Sequence, residues 1–153
     1  MRFRIAGVLF FLFVAMSVTT AVAVIPIPVE VDIKPCSCPN PLNLRKKGVL
    51  AVAILGSDVF DATTVDPTVQ LTRSGFGSVD PLRWSWEDAN GDGYTDLSFK
   101  FGAQEVIQTL GLDDLYDGDV VVLKLTGNLK AEFGGTAIQG EDEVWIIASH
   151  FVI

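Results

Sequence analysis

The sequence predicts an all-β fold, an Ig-like or jelly-roll-like β-sandwich of about seven or eight strands with one short helix. Three features predict it. Apolar and polar residues alternate with period two at 29–34 and 97–101, the signature of half-buried strands. Near-continuous apolar runs recur at 48–55 and 120–127, short enough to be central strands. Clusters of Gly, Asp, Asn and Pro separate these segments, and only one stretch carries a helical stripe.

In chain order, Val29, Val31 and Ile33 face one way and Glu30, Asp32 and Lys34 the other. The prolines and asparagines of CPNPLN then break the strand. GVLAVAIL (48–55) reads as a central strand, and 69–72 as another after the turn at Asp66-Pro67. RSGFGSVDP reads as a loop leading into LRWSW. Leu97, Phe99 and Phe101 alternate with Ser98 and Lys100. At 103–111, Val106, Ile107 and Leu110 form an apolar stripe, and Gly111 supplies a helix stop. After the turn DDLYDGD come a strand at 120–127, a short hairpin at 128–143 and a long final strand at 144–153. That last strand reads as an inner strand of the sandwich. The sharper alternative is that it, or the 25–33 segment, adds to a neighbouring subunit's sheet.

The N-terminus has the three parts of a secretory signal. Arg2 and Arg4 precede an uncharged run from Ile5 to Ala23 that ends Ala21-Val22-Ala23. A retained membrane anchor is the competing reading, since about 18 apolar residues can just span a bilayer. The small-x-small ending and Pro26 and Pro28 favour cleavage after Ala23, leaving one secreted domain at 24–153. No lipoprotein box accompanies Cys36 or Cys38. Cleavage removes Arg2 and Arg4 and takes the formal charge from −8 to −10. Such a chain lacks the basic patches that nucleic acids need, and it suits neither nucleic acid nor an anionic membrane. It suits a divalent cation, for which carboxylates are the natural hard donors. The expected location is extracellular or at the cell surface. Cys36 and Cys38, two residues apart, could form only a strained local disulfide, or else remain free or pair between molecules.

WEDANGDGYTDLSF (86–99) carries the most specific pattern. Asp88, Asn90, Asp92, Gly93, Tyr94 and Asp96 fall at positions 1, 3, 5, 6, 7 and 9 of a calcium loop. Side chains at 1, 3 and 5 converge if the backbone curls around an ion, and Gly93 permits the curl. Tyr94 offers its carbonyl, and Asp96 binds directly or through water. Position 12 is Phe99 rather than a bidentate acid, and the flanks read as strands, so this is not an EF-hand. Glu87, Glu105, Asp58 and Asp61 are the candidates for the missing ligand. Without it, affinity belongs to the weak extracellular class, with Kd on the order of 0.1–1 mM. The plain alternative is a solvated Asp/Asn/Gly turn. A second acidic cluster at 113–119 lacks the alternation and reads as a turn, unless the fold brings it to the first.

Catalytic chemistry is thinly supplied. His150, the single histidine, reads as a surface or packing residue, and no nucleophile elbow, HExxH or phosphate loop is present. No enzymatic activity is expected, although paired acids leave glycoside hydrolysis formally open. Trp84 and Trp86 share a strand face. Core is the favoured reading, and a platform for sugar rings is the alternative. Trp145 is equally ambiguous.

VEVDIKPCSCPNPLNL, VAIL, FDATTVDP and WEDANGDGYTDL, in that order, resemble a family of largely uncharacterised secreted bacterial and archaeal β-rich domains. Its pattern resembles VDIKPGS-x-PN, then Val-Ala-Ile-Leu, Phe-Asp-x-x-x-Val-Asp-Pro and an Asp/Asn/Gly loop before Asp-Leu. The similarity runs from Val29 to about Ile147 and departs at Cys36, where the pattern has glycine. It implies an exported module of cell-surface proteins and draws attention to Asp88, Asn90, Asp92 and Asp96. The expectation is therefore a secreted, calcium-binding structural or interaction module whose partner is an extracellular protein, a polysaccharide or another copy. The alternatives are a carbohydrate-binding module using Trp84 and Trp86, or a filament or surface-layer subunit joined by terminal strands.

Overall fold

The computed structural model describes residues 14–149. The first half of the expected signal, and His150 with the last three residues, lie outside them. Residues 14–26 take no regular structure and are largely exposed. No helix among the described residues is long and apolar enough to cross a membrane.

Among the described residues, ten strands form two sheets: β1 (Ile27–Pro28), β2 (Val31–Ile33), β3 (Pro41–Asn43), β4 (Val49–Ile54), β5 (Gln70–Thr72), β6 (Ser78–Val79), β7 (Arg83–Glu87), β8 (Asp96–Gly102), β9 (Val120–Asn128) and β10 (Ala137–Ile147). One sheet runs β1-β10-β9-β5-β6, with β3 also on β10, and the other runs β2-β4-β8-β7. The fold is an all-β sandwich, as predicted. The strand count exceeds seven or eight because β1, β3 and β6 are only two or three residues each. Such pieces are too short to show a period. β6 lies in the stretch read as loop. The expected hairpin at 128–143 and final strand at 144–153 also divide differently. A 3-10 turn at Ala131–Phe133 makes the reversal, and β10 starts at Ala137.

The alternation of each strand decides what it buries. Ile33, Leu50, Val52, Ile54, Leu97, Phe99 and Phe101 from one sheet meet Leu71, Leu123, Leu125, Val144 and Ile146 from the other, all nearly or fully buried. Burying a large aliphatic or aromatic side chain contributes about 1.5–3 kcal/mol. Helix α1 (Ala103–Thr109) follows β8 directly and buries Val106 and Ile107. Its end is as predicted: Gly111 adopts φ 63°, its N–H donates to Gln108 O, and Leu112 N donates to Ile107 O at 2.8 Å. That is a Schellman closure, and Arg73 Nη1 caps the carbonyls of Leu110 and Gly111 at 2.9 and 3.0 Å.

The chain changes sheet between β1 and β2, and again between β2 and β3. Both crossings lean on β10, where the inward register of Ile138, Val144 and Ile146 is broken by Gly140 and Asp142. A Cβ on Gly140 would lie 2.3 Å from Val29 O. Asp142 Oδ2 accepts from Ile33 N and Asn40 Nδ2, both at 2.8 Å. An inward position thus holds a glycine where the crossing chain presses close, and an acid where that chain's donors need an acceptor.

Within the second crossing, Cys36 and Cys38 are exposed free thiols, and Cys36 Sγ lies 3.5 Å from Ala89 O. Cys36 has φ 69°, in the left-handed region that favours glycine. A residue with a side chain thus bears the strain of that conformation. Cys36→Gly should raise stability in urea titration by about 0.5–1 kcal/mol, the relieved strain being partly offset by a more flexible unfolded chain.

Candidate interaction edge and acidic loop

The hairpin β7–β8 positions most of the residues singled out in the sequence. β8 is an inner strand, with β4 on one side and β7 on the other. β7 is an edge, and all five of its residues are exposed. In register, Trp84 opposes Phe99 and Trp86 opposes Leu97. The two tryptophans therefore stand on the core-facing side of the sheet. They nevertheless keep 45% and 38% of their surface exposed, while Phe99 and Leu97 keep none. The expectation that the pair is core is corrected: the periodicity gave the correct face, but the edge extends past the cover of the opposite sheet. Their rings meet edge to face, centroids 5.5 Å apart, and Lys130 Nζ sits 5.4 Å over the Trp86 ring. Beside Trp84 opens a groove of about 570 Å³, lined also by Gln70, Asp80, Arg83 and Asn128. The sequence held no signal for this groove, which joins three distant segments. Trp145, on β10, is also 45% exposed.

The 88–95 loop is organised by its own side chains. Asp88 accepts from three backbone N–H groups, those of Gly91, Asp92 and Gly93, at 2.8–3.1 Å. Asn90 Oδ1 accepts from Asp92 N at 3.2 Å, and Asp92 Oδ1 from Tyr94 N at 2.9 Å. Asn90 Nδ2 donates to Asp92 Oδ2 at 3.1 Å. Gly93 takes φ 90°, the curl expected of position 6. Asp88, Asn90, Asp92 and Tyr94 are all exposed.

Asp96 differs from them. It is fully buried, with Oδ1 accepting from Gly56 N at 2.8 Å and Oδ2 from Ala89 N at 2.7 Å. Both oxygens are engaged with backbone, so the carboxylate ties the start of β8 to its own hairpin and to the chain leaving β4. No group of three or more His, Cys, Asp or Glu among the described residues is arranged to hold a metal ion.

The candidates for a completing ligand separate by position. Glu105 is on α1, beyond the far end of the seven-residue β8, a span of about 20 Å. Asp61 lines a cleft of about 240 Å³ together with Tyr94 and Thr95. Its Oδ1 accepts from Thr63 N and Oγ1, and those bonds hold its carboxyl below the ordinary range. Asp58 is exposed, and Glu87 opposes Asp96 across the hairpin. The 113–119 cluster follows α1 and bonds elsewhere: Asp117 Oδ1 accepts from Ala148 N and Asp119 Oδ2 from Tyr116 N.

An acidic cleft of about 610 Å³, not anticipated from the sequence, lies between the sheets and is lined by Glu30, Asp32, Asn40, Asp142 and Glu143. Asp32 is raised above its ordinary 3.8, first by desolvation, then by Asp142, Glu30 and Asp96. Glu30, Asp32 and Asn40 are far in sequence from Asp142 and Glu143, and the packing of one sheet on the other, with the Asp142 hydrogen bonds to Ile33 N and Asn40 Nδ2, brings them together.

No family model matches the chain, and no curated protein matches it. Among solved structures, the chain is similar to the crystal structure of AggA, the major subunit of aggregative adherence fimbriae type I from Escherichia coli. The two are 12% identical with a TM-score of 0.30, over 80% of this chain and 95% of that one. The fold described above rests on the strand pairing alone.

Because Asp32 binds its proton more tightly when folded, the native state is favoured below 3.8 and loses that advantage as pH rises through the raised value. Asp32→Asn should therefore melt with the wild type near about pH 3.5 and above it at neutral pH. Thermal unfolding across that range measures the difference.

Proposed function

We propose that this chain is an extracellular structural or interaction module that presents the β7 edge to a partner, with calcium clamping the hairpin behind that edge. One observation carries the reading: Trp84 and Trp86 stand on the inward side of their sheet yet remain uncovered on an edge strand. Exposed aromatic side chains in alternate positions on an unpaired edge offer both apolar area and backbone hydrogen bonds to a partner.

In this reading calcium is held by the side chains of Asp88, Asn90 and Asp92 and the carbonyl of Tyr94, an all-oxygen donor set suited to a hard cation. Asp96 acts as the anchor that fixes the loop on β8, since its oxygens already serve Gly56 and Ala89. Asp61, across the small cleft from Tyr94, is the best placed of the additional acids. The ion supplies charge compensation for Asp88 and Asp92, whose carboxylates otherwise repel.

A second reading, a carbohydrate-binding module, is favoured by the groove beside Trp84. An indole face flanked by Gln70, Asp80 and Asn128 combines stacking with donors and acceptors for hydroxyl groups. Assembly through the terminal strands is less supported, because β1 and β3 already pair with β10 inside the chain.

Thermal melting in EDTA and in a calcium series tests the clamp. At 100 times Kd the ion should add about 2.7 kcal/mol, and Asp92→Ala should abolish the response. An unresponsive wild type would leave a solvated turn. For the groove, Trp84→Ala should release any polysaccharide that the wild type retains in a pull-down.

A further inference from the structure

The open side of β7 is self-complementary. Its sequence, Arg83-Trp84-Ser85-Trp86-Glu87, carries opposite charges at its two ends, an aromatic residue inside each, and serine at the centre. The neighbouring ladders fix where its backbone points. Ala103 N donates to Gly48 O, so in β8 the residues in phase with Ala103 (Leu97, Phe99 and Phe101) bond toward β4. Ser98 and Lys100 then bond toward β7, and Leu82 N donating to Lys100 O at 2.8 Å agrees. Ser98 opposes Ser85 and Lys100 opposes Arg83, which leaves the N–H and C=O groups of Trp84 and Trp86 directed outward from the sheet.

We propose that the partner of this edge is a second copy of the chain, paired antiparallel about a two-fold axis through Ser85. That register sets Trp84 against the partner's Trp86, in the two positions where backbone groups are available on both strands. It also sets Arg83 against the partner's Glu87 in the narrow, non-hydrogen-bonded pairs, where side chains approach closest. Each contact occurs twice by symmetry, and the two four-stranded sheets become one of eight strands. The charge match decides between occupants. The chain carries a net charge of −8, so two copies repel at long range, and this edge is where each copy offers a cation to the other's anion. No proline or inward charge protects β7, whereas the other edge strands among the described residues are short: β2 and β3 have three residues each, β1 and β6 two. Because the same patch is used on both copies, the contact closes at two and does not propagate into a fibre.

The inference rests on β7 being the interaction edge, and its test separates the two ideas. Sedimentation equilibrium is run on the wild type, Arg83→Glu, Glu87→Arg and the double variant R83E/E87R, with circular dichroism confirming the fold. The substituted side chains are exposed and lie opposite to the core-facing side. The wild type should dimerise. Each single variant sets like charges together twice and should weaken the dimer by about tenfold or more, and the double variant should restore it. A monomeric wild type, or single variants that dimerise like it, overturns the pairing. A double variant that stays monomeric overturns the register. If a monomeric wild type still shows the calcium response and binds polysaccharide through Trp84, only the self-pairing fails. If those responses are absent too, the interaction-module reading fails with it.

Discussion

Asp96 is a carboxylate with no accessible surface, and its two oxygens hold three separate parts of the chain together. Burying an ionised group without bonds would cost several kcal/mol, so the site exists only because Gly56 N and Ala89 N are both aimed at it. The same constraint explains Gly56, where a Cβ would stand 2.2 Å from Thr95 O. Backbone must come that close for the amide to reach the acid. Through Ala89 the bond fixes the root of the acidic loop, and through Gly56 it fixes the exit of β4. The exposed strand β7 is thereby attached to the core at its one irregular end.

Asp142 follows the same logic on the other sheet. A carboxylate occupies an inward register position because the crossing chain brings Ile33 N and Asn40 Nδ2 to it. Asn40 also donates to Glu143 O at 2.9 Å, and its own Oδ1 is buried without a partner. Both acids use backbone and amide donors in place of a cation. Their donors, Ile33, Asn40, Gly56 and Ala89, sit where strands change sheets or end, the places where ladder hydrogen bonds run out. The regular parts of the sandwich rely on apolar burial, whereas its irregular joints rely on these two side chains.

β4, β8 and β9 were legible from sequence because their periodicity has room to show, as was α1 with its Gly111 stop. β2 and β5 were legible from the apolar residues around them, whereas β1, β3 and β6 lie among prolines, asparagines and glycines that read as loop. β10 was split because Gly140, Glu141, Asp142 and Glu143 look like turn chemistry, and only the crossing chain explains a glycine and an acid on an inward face. Trp84 and Trp86 show a different limit. Alternation assigned them correctly to one face, but it carries no information about how far the opposite sheet extends. The acidic-loop residues Asp88, Asn90 and Asp92 were legible as a pattern. The role of Asp96 was not, since its partner Gly56 lies forty residues away.

On the proposed reading, anchoring the hairpin at Asp96 holds the β7 tryptophans and outward backbone groups in place, which lowers the entropic cost of recruiting a partner. The most direct measurement is amide hydrogen exchange in the wild type and in Asp96→Asn, whose neutral amide offers one acceptor oxygen in place of two. The account predicts that exchange at Gly56 or Ala89, and along β7, accelerates by about tenfold or more, while the amides shared by β9 and β10 keep their protection. Unchanged exchange at both Gly56 and Ala89 would contradict it, and would place the anchor of the hairpin elsewhere.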